Sequence, residues 1–304
     1  MPCDIFKPLK PGATIHEWLN RVSRYFKRHK LYYGHGTDNA WDEAVYLVLG
    51  QLNLPVDAGV EVLSRAVNEN EAAKLAAAIT RRALEHIPAA YLNHAAHYAG
   101  LDFYVDNRVL IPRSPIAEII EQRFSPWVVD PDSILHVLDI GTGSGCLAIL
   151  AALALPRSTV DAVDISLEAL KVCKINLERF KLADRVRPIL SNLFEALGAS
   201  VYDVIIANPP YVGDVEMQHL PKEYYVEPNI ALHDAGSGAE LAIKILQQAA
   251  NFLTPDGVLF LEVGNSLPLI LERFPLAPFT LIEFNSGDSE VVMLTQQQLR
   301  KFCC

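Results

Sequence analysis

The sequence contains few cysteines and no long run of hydrophobic residues. Its five cysteines form no Cys-x-x-Cys pair and match no structural zinc spacing: Cys3, Cys146, Cys173, Cys303 and Cys304. Uninterrupted apolar runs stay well short of the roughly 20 residues that span a bilayer. Residues 1–10 lack the apolar core of a secretion signal. We therefore expect a cytoplasmic protein with reduced thiols, no bound metal and no membrane contact.

The sequence also lacks an excess of positive charge. It has 26 Lys and Arg residues against 36 Asp and Glu residues, so the formal net charge is −10. Broad contact with a phosphate backbone needs a basic face, so nucleic-acid binding of that kind is not expected. An acidic surface would steer a basic partner inward, but many acidic proteins have no such partner.

Helical periodicity dominates the first ninety residues. Asn39, followed by Asp42 three positions later, resembles a capping box and predicts the start of a second helix. A third helix is predicted over about residues 70–86, ahead of Pro88. The first helix is predicted from apolar residues at three- and four-residue steps, namely Ile15, Trp18, Leu19, Val22, Tyr25 and Phe26. We interpret residues 1–90 as a helical domain.

The pattern changes to strand-like alternation in residues 91–113. Apolar residues there flank the turn-like pair Asp106-Asn107, which predicts a β-hairpin linker. The alternating residues are Phe103, Val105, Val109 and Ile111.

From residue 114 onward, predicted strands alternate with predicted helices. The strands are residues 134–140, 160–164, 186–190, 204–207 and 258–263, and the main helices are residues 145–155, 167–180 and 239–253. This order predicts an α/β fold with a mostly parallel sheet and helices on both faces. Two final strand-like stretches, residues 279–284 and 290–294, have no helix between them, so one should run antiparallel. We interpret residues 114–304 as the second domain.

A glycine-rich loop follows the first of these strands and reads Gly141-Thr142-Gly143-Ser144-Gly145. Its spacing is Gly-x-Gly-x-Gly, which differs from the dinucleotide fingerprint Gly-x-Gly-x-x-Gly. Glycines here let the backbone pass closely under a ligand. Asp164, followed by Ile165, ends the next strand, and its carboxylate could accept both hydroxyls of a ribose. Asp139 could order the loop or reach the ligand's amino group through water. NAD would satisfy the same features.

The fourth strand ends in Asn208-Pro209-Pro210-Tyr211. Two prolines fix the backbone rigidly after the strand. The Asn208 side-chain oxygen and the Pro209 carbonyl can accept the two N–H groups of an NH₂ group, which would aim the nitrogen lone pair at a methyl donor. Tyr211 could supply a flat wall against a planar amide or base. This motif favours methyl transfer over hydride transfer.

Together these motifs resemble the class I S-adenosylmethionine-dependent methyltransferases that modify planar nitrogens. Within that class, Val109-Leu110-Ile111-Pro112-Arg113 resembles the bacterial protein-(glutamine amide) N-methyltransferases. One branch of that family acts on peptide-chain release factors and the other on large-subunit ribosomal protein L3. The segments at residues 33–44 and 112–118 are similar to the ribosomal-protein branch.

The resemblance implies a Rossmann-like seven-stranded sheet with an antiparallel last strand, preceded by a helical domain that recognises the protein substrate. It implies that residues 141–145 and Asp164 hold S-adenosyl-L-methionine, which leaves as S-adenosyl-L-homocysteine, and that residues 208–211 hold the glutamine. Ser191-Asn192-Leu193-Phe194 resembles the stretch that contacts adenine. Asn192 stands where the family usually has Asp, so it keeps one acceptor oxygen but loses a charge. The expected substrate is a basic ribosomal protein, free or within an assembling large subunit.

Several alternatives remain open from the residues. Arg113 could meet the substrate or form a structural ion pair, and Glu262, at the end of a strand, could belong to the site. Cys146 is interpreted as a helix-packing residue because the sequence offers it no base. Rival functions are methylation of a release factor, methylation of adenine in nucleic acid, and a catalytically inactive assembly factor with the same fold.

Overall fold

The computed structural model describes residues 6–10, 12–284 and 290–302. The chain divides into two units, residues 1–107 with Pro221–Val226, and residues 108–220 with residues 227–304. Cys3, Cys303 and Cys304 lie outside the described residues, and the two described cysteines, Cys146 and Cys173, are free thiols. The second unit begins at residue 108, inside the segment interpreted as a linker.

The first unit is mainly helical. Its helices are α1 (Ile15–His29), α2 (Ala40–Gln51), α3 (Glu69–Leu84) and α4 (Ala89–Asn93), with a 3₁₀ helix at Val60–Ser64 and another at Lys222–Val226. The predicted helices are therefore confirmed within a few residues. In α1 the predicted apolar face is buried, including Trp18 and Phe26. This face supplies much of the core of the unit.

Asn39 caps α2 as predicted, but the geometry is not a full capping box. The Asn39 Oδ1 atom accepts hydrogen bonds from the backbone N–H groups of Trp41 (3.0 Å) and Asp42 (3.1 Å). The Asp42 carboxylate accepts from the Asn39 side-chain nitrogen at 2.7 Å. A capping box would instead use that carboxylate to bind the cap's backbone N–H.

The predicted hairpin exists, but its position was wrong. Strands β1 (Ala96–Tyr98) and β2 (Leu101–Phe103) pair antiparallel, with Tyr98 opposite Leu101. The turn is therefore Ala99-Gly100, and both residues are left-handed, with φ of 48° and 73°. That conformation suits a two-residue hairpin turn. The alternation around Asp106-Asn107 reflects burial of Val105 and Val109 along a stretch without strand pairing.

Buried charges join Pro221–Val226 to the rest of the first unit. Arg82 is 1% exposed and donates hydrogen bonds to both Glu43 and Glu223, and also to the Tyr32 carbonyl (2.8 Å). Burial alone would raise the pKa of Glu223. Hydrogen bonds from its own backbone, His86 and the Tyr32 N–H, together with the charge of Arg82, outweigh burial and hold that pKa below its ordinary value. The cluster thus favours the ionised form of Glu223 and pairs both carboxylates with Arg82.

The second unit is built on a seven-stranded sheet. Its strands are β3 (His136–Ile140), β4 (Thr159–Asp164), β5 (Val186–Leu190), β6 (Tyr202–Ala207), β7 (Leu253–Glu262), β8 (Thr280–Ile282) and β9 (Val291–Thr295). Their order is β5-β4-β3-β6-β7-β9-β8, and β9 runs antiparallel to the other six strands. The expected fold class, with its antiparallel last strand, is confirmed.

Helices surround this sheet, as alternating strand and helix patterns predict. They are α5 (Ile116–Glu121), α6 (Cys146–Ala154), α7 (Leu167–Phe180), α8 (Asp214–Met217), α9 (Asn229–Leu232), α10 (Glu240–Ala249), α11 (Leu267–Arg273) and α12 (Gln296–Phe302), with 3₁₀ helices at Pro131–Ser133 and Gly264–Ser266. Residues Val204–Ala207 are fully buried, as expected for a parallel strand covered on both faces.

The strand order reverses direction between β3 and β6. From β3 the chain proceeds outward through β4 and β5, and from β6 it proceeds the other way through β7. Ile140, the last residue of β3, is paired in register with Ala207, the last residue of β6. A crevice at such a reversal is the usual ligand position in open α/β sheets.

We expect Arg82→Met to destabilise the first unit by about 3–5 kcal/mol, because it leaves two carboxylates buried without their cation. Urea unfolding followed by circular dichroism measures this loss.

The matched control is Arg81→Met. Arg81 is the adjacent residue, its side chain is 55% exposed, and it pairs with the exposed Glu85. Loss of that pair should change stability by no more than about 1 kcal/mol. Equal losses for the two variants would contradict the role assigned to the buried cluster.

Candidate active site

A cavity of about 220 Å³ lies at the reversal point of the sheet in the second unit. Its walls come from the residues that follow β3, β4, β5 and β6. Most of the predicted site residues line it: Arg113, Gly141, Thr142, Gly143, Ser144, Asp164, Ile165, Asn192, Leu193, Asn208, Pro209 and Pro210. Asp139, Gly145 and Tyr211 are not among the residues that line it.

Hydrogen bonds hold the glycine loop where it passes close to the turn that follows β6 (residues 208–211, here called the β6 turn). The N–H groups of Gly141 and Thr142 both donate to the Val163 carbonyl at 2.9 Å. Gly141 has a φ of 75°, and a Cβ built on it would lie 3.2 Å from the Asn208 carbonyl oxygen. A side chain at this position would therefore push the two backbones apart.

Two further glycines of the loop have different roles. A Cβ on Gly145 would come within 2.7 Å of the Cys173 sulfur, so Gly145 permits packing against α7. A Cβ on Gly143 would meet only the Gly141 carbonyl, at 4.0 Å, so the space above Gly143 is open to the cavity. This open space is the cradle that a ligand can occupy.

Asp139 orders the loop, which was one of its two predicted roles. It is 1% exposed, and its Oδ2 atom accepts hydrogen bonds from the Thr142 hydroxyl (2.6 Å) and the Ala148 N–H (3.2 Å). Burial raises its pKa to about 7, while these two hydrogen bonds lower it and the nearby Asp164 carboxylate adds to the rise. Contact with the ligand's amino group stays a prediction.

Asp164 faces the cavity at the end of β4. Its carboxylate accepts the N–H of Gly143 at 2.9 Å and the N–H of Ser166 at 2.8 Å. Burial raises its pKa, and the hydrogen bonds from Ser166, Gly143 and Ile165 oppose that rise. A carboxylate has about four acceptor positions, so the three backbone hydrogen bonds leave acceptor capacity for a ligand hydroxyl. The neighbouring Ile165 presents an exposed apolar side chain to the same cavity.

The segment after β5 forms a fixed turn at the cavity. The Ser191 hydroxyl donates to the Leu193 carbonyl (3.0 Å) and accepts from the Ala196 N–H (2.9 Å). Leu193 adopts a left-handed φ of 49°, which is uncommon outside glycine. The Asn192 side-chain nitrogen donates to Glu195 at 2.8 Å, which leaves the amide oxygen as the acceptor for a ligand.

The β6 turn carries Asn208 and the two prolines into the cavity wall. The Asn208 N–H donates to the Ile140 carbonyl at 3.4 Å, which links this turn to the end of β3. The turn predicted to bind the substrate amide and the glycine loop predicted to bind the methyl donor are thus adjacent in the fold.

Tyr211 is placed differently from the prediction of a wall. A Cβ on Gly264 would lie 2.5 Å from the Tyr211 ring, so the ring packs directly on that glycine. The Tyr211 hydroxyl donates to Glu262 at 3.1 Å. Its contact with a substrate remains a prediction, and the structure gives it an anchoring contact instead.

Arg113 lines the cavity and also forms a structural ion pair. Its guanidinium binds both carboxylate oxygens of the buried Glu227, at 2.8 Å and 2.6 Å. The structural ion pair considered for Arg113 is therefore present, whereas its contact with a substrate stays a prediction.

Some cavity residues were missed by sequence reasoning. These are chiefly Arg108, Leu110, Ile230 and His233. His233 reaches the site because the chain returns beside Val212 through an isolated parallel bridge, and its Nε2 atom lies 2.6 Å from Asp214. No local sequence pattern predicts that the chain returns to this position, so the sequence alone could not place His233 at the cavity.

The residues present suit an adenosine-containing cofactor. The open space over Gly143 can hold a ligand in close contact with the backbone. Asp164 offers a carboxylate for ribose hydroxyls, and Asn192 offers an amide oxygen for an adenine amino group.

Across the described residues, no group of three or more His, Cys, Asp or Glu side chains is arranged to hold a metal ion. Burial raises the pKa of the Cys146 thiol to about 12, which argues against its use as a nucleophile. None of the described helices is long and apolar enough to cross a membrane.

Comparisons with known proteins identify the family of this chain. The methyltransferase small domain matches residues 128–237. The ribosomal protein uL3 glutamine methyltransferase of Neisseria meningitidis serogroup B is 45% identical over 287 residues, which cover 94% of both chains. Its counterpart in Neisseria gonorrhoeae is also 45% identical, over 94% of this chain and 96% of its own. The chain belongs to the ribosomal protein uL3 glutamine methyltransferase family.

As a member of the uL3 glutamine methyltransferase family, the chain is an S-adenosylmethionine-dependent methyltransferase. The expected family resemblance is thereby confirmed. A solved structure, the hMettl16 catalytic domain in complex with MAT2A 3′UTR hairpin 1, is similar at 18% identity with a TM-score of 0.50, covering 93% of this chain and 94% of that one. At that identity the likeness concerns the fold alone.

The raised pKa of Asp139 predicts a pH dependence of stability. The unfolded carboxyl titrates near 3.8, whereas the folded one titrates near 7. Over this range the folded protein holds a proton that the unfolded chain has released, so this group's contribution to stability falls as the pH rises from about 4 to about 7. Asp139→Asn should therefore flatten the decline of the unfolding free energy between about pH 4 and pH 7 in urea titrations.

Asp132→Asn serves as the control because it removes an equal charge from an exposed side chain. An unchanged slope in Asp139→Asn, or an equal change in both variants, would count against the assignment.

Proposed function

We propose that this chain transfers the methyl group of S-adenosylmethionine to the side-chain amide nitrogen of a glutamine in ribosomal protein uL3. The observation that carries the proposal is the backbone contact between Gly141 and Asn208, where an added Cβ would lie 3.2 Å from the Asn208 carbonyl. We call residues 141–145, proposed to hold the cofactor, the cofactor loop, and residues 208–211, proposed to hold the glutamine, the substrate turn. The contact joins these two segments at one edge of the sheet, so a methyl donor and an amide can meet there.

The residues proposed to hold the cofactor surround the open cradle. The loop at residues 141–145 would follow the bound ligand, and Asp164 would accept its ribose hydroxyls. Ile165, Asn192 and Leu193 would contact the adenine, with the Asn192 amide oxygen accepting from its amino group. When bound, S-adenosylmethionine supplies an electrophilic methyl group on a positively charged sulfur.

The substrate turn supplies positioning and electrostatic catalysis. An amide nitrogen is a weak nucleophile because its lone pair is delocalised into the carbonyl. The Asn208 side-chain oxygen and the Pro209 carbonyl would accept the two amide N–H groups, which restrains the nitrogen and aims its lone pair along the line of attack. The nitrogen attacks while neutral, so no base need act first, and its extra proton leaves to water afterwards.

Both the relatives and the net charge favour a basic ribosomal protein as the substrate. The relatives that match over almost the whole chain are uL3 glutamine methyltransferases. A net charge of −10 suits a basic protein substrate and disfavours phosphate-rich nucleic acid. We propose that the helical first unit recognises this protein substrate, free or in an assembling subunit, in the cytoplasm.

The first test measures methyl transfer from labelled cofactor to three substrates: purified uL3, a peptide-chain release factor, and duplex DNA or RNA. Incorporation into one glutamine of uL3, located by mass spectrometry, is the expected result. Preferential labelling of the release factor or of adenine would favour the corresponding rival. Cofactor binding without transfer to any of the three would favour an inactive assembly factor.

The second test removes the acceptor in the substrate turn. Asn208→Ala should lower kcat on uL3 by roughly 100-fold or more, as expected when one group that stabilises the transition state is lost. The Kd for S-adenosylmethionine, measured by calorimetry, should change little.

Asn251→Ala provides the control, since Asn251 is exposed and does not line the cavity. Full turnover in Asn208→Ala would refute the role given to Asn208.

A further inference from the structure

A buried carboxylate stands directly behind the substrate turn. Glu262 is the last residue of β7 and is 2% exposed. Its strand runs parallel to β6, with Leu261 opposite Ala207, so the next pair in register would be Glu262 and Asn208. Glu262 is not among the residues that line the cavity.

Two hydroxyl groups donate to this carboxylate. The Tyr211 hydroxyl donates to one oxygen at 3.1 Å, and the Ser114 hydroxyl donates to the other at 2.5 Å. Tyr211 closes the substrate turn, and Ser114 immediately follows the cavity residue Arg113. One carboxylate therefore joins two segments that border the site.

The Tyr211 side chain is restrained at both ends. Its ring packs on Gly264, where an added Cβ would come within 2.5 Å, and Gly264 has a left-handed φ of 47°. Its backbone carbonyl lies against Gly238, where an added Cβ would come within 2.5 Å. Its hydroxyl is held by Glu262, so the side chain is restrained both at the ring and at the hydroxyl, and two rigid prolines connect it to Asn208.

The other hydrogen-bond partner of Glu262, Ser114, lines the cavity. Ser114 is 5% exposed, and its oxygen also accepts the Ile116 N–H at 3.3 Å at the start of α5. Arg113, one residue earlier, is fixed by its two-point ion pair with Glu227. Contacts other than the one with Glu262 thus hold Ser114 in place, so Ser114 can fix the position of the Glu262 carboxylate.

A carboxylate at such a depth is unfavourable for folding unless it is well paired. Burial raises the pKa of Glu262 to about 7, and the Glu290 carboxylate adds to the rise. Hydrogen bonds from Ser114 and Tyr211, and the charge of Arg113, lower it. Well-packed apolar side chains are often as stable as buried charged groups, so stability alone is a weak reason for an acid here.

We infer that Glu262 is a positioning residue for methyl transfer, which holds Tyr211 and thereby fixes the substrate turn relative to Ser114. The inference rests on the proposed function, in which that turn grips the glutamine amide. A loosened turn would still bind cofactor and substrate but would misdirect the nitrogen, so the effect falls on kcat.

The test combines Tyr211→Phe, which removes the hydroxyl and keeps the ring, with Glu262→Gln and the double variant. Each single variant should lower kcat on uL3 about 10-fold, the size expected for one lost hydrogen bond to a charged group. The KM for uL3 and the Kd for S-adenosylmethionine should stay within about 2-fold of the unaltered protein. The double variant should lose clearly less than the product of the single losses, because both changes weaken the same hydrogen bond between Tyr211 and residue 262.

A conservative series separates positioning from folding. Glu262→Gln can still accept from one hydroxyl and donate to the other, so it should retain more kcat than Glu262→Leu. Glu272→Gln, on the exposed side of α11, is the control and should leave kcat unchanged.

The outcomes distinguish this inference from the proposed function. If the unaltered protein does not methylate uL3, the proposed function fails before Glu262 is tested. If it does, and Tyr211→Phe retains full kcat, the positioning role is refuted. Independent, multiplicative losses in the double variant, or a fall in cofactor affinity parallel to that in kcat, would likewise refute it.

Discussion

The site depends on the close approach of two backbones at the ends of neighbouring parallel strands. Ile140 and Ala207 end β3 and β6 in register, and the chain beyond each strand has to pass the other. Gly141 makes that passage possible because the Asn208 carbonyl occupies the space where a Cβ would stand. The loop at residues 141–145 and the turn at residues 208–211 are therefore adjacent, and we propose that the methyl donor and the amide meet between them.

Buried carboxylates then define how the chain leaves the substrate turn. Glu262 holds the hydroxyl of Tyr211, Glu223 pairs with Arg82 in the first unit, and Glu227 pairs with Arg113 where the chain re-enters the second unit. Each carboxylate lies away from water and is compensated by a cation or by hydroxyl donors. Since a charge left unpaired at such depth is strongly unfavourable, these pairings specify one path for the chain.

Predictions from the sequence succeeded where a local pattern fixes a local structure. The run that ends in Asp139-Ile140 was recognisable as a buried strand, and Asn39 was recognisable as a helix cap. The position of the hairpin was wrong because the Ala99-Gly100 turn carries a weaker signal than Asp106-Asn107, although only the former pair adopts the left-handed conformation. Helices α11 and α12 went unnoticed because each spans only about two turns, too short for a clear period.

The sequence by itself determined the strand-and-helix order, the glycine loop, the acid at the end of β4 and the rigid Asn-Pro-Pro-Tyr turn, because each depends on residues near one another in the chain. Only the tertiary structure decided that Asp139 orders the loop, that Tyr211 packs on Gly264, and that Arg113 binds Glu227 across 114 positions. Such partners are chosen by which side chains burial brings together, and no periodicity or spacing along the chain records that choice.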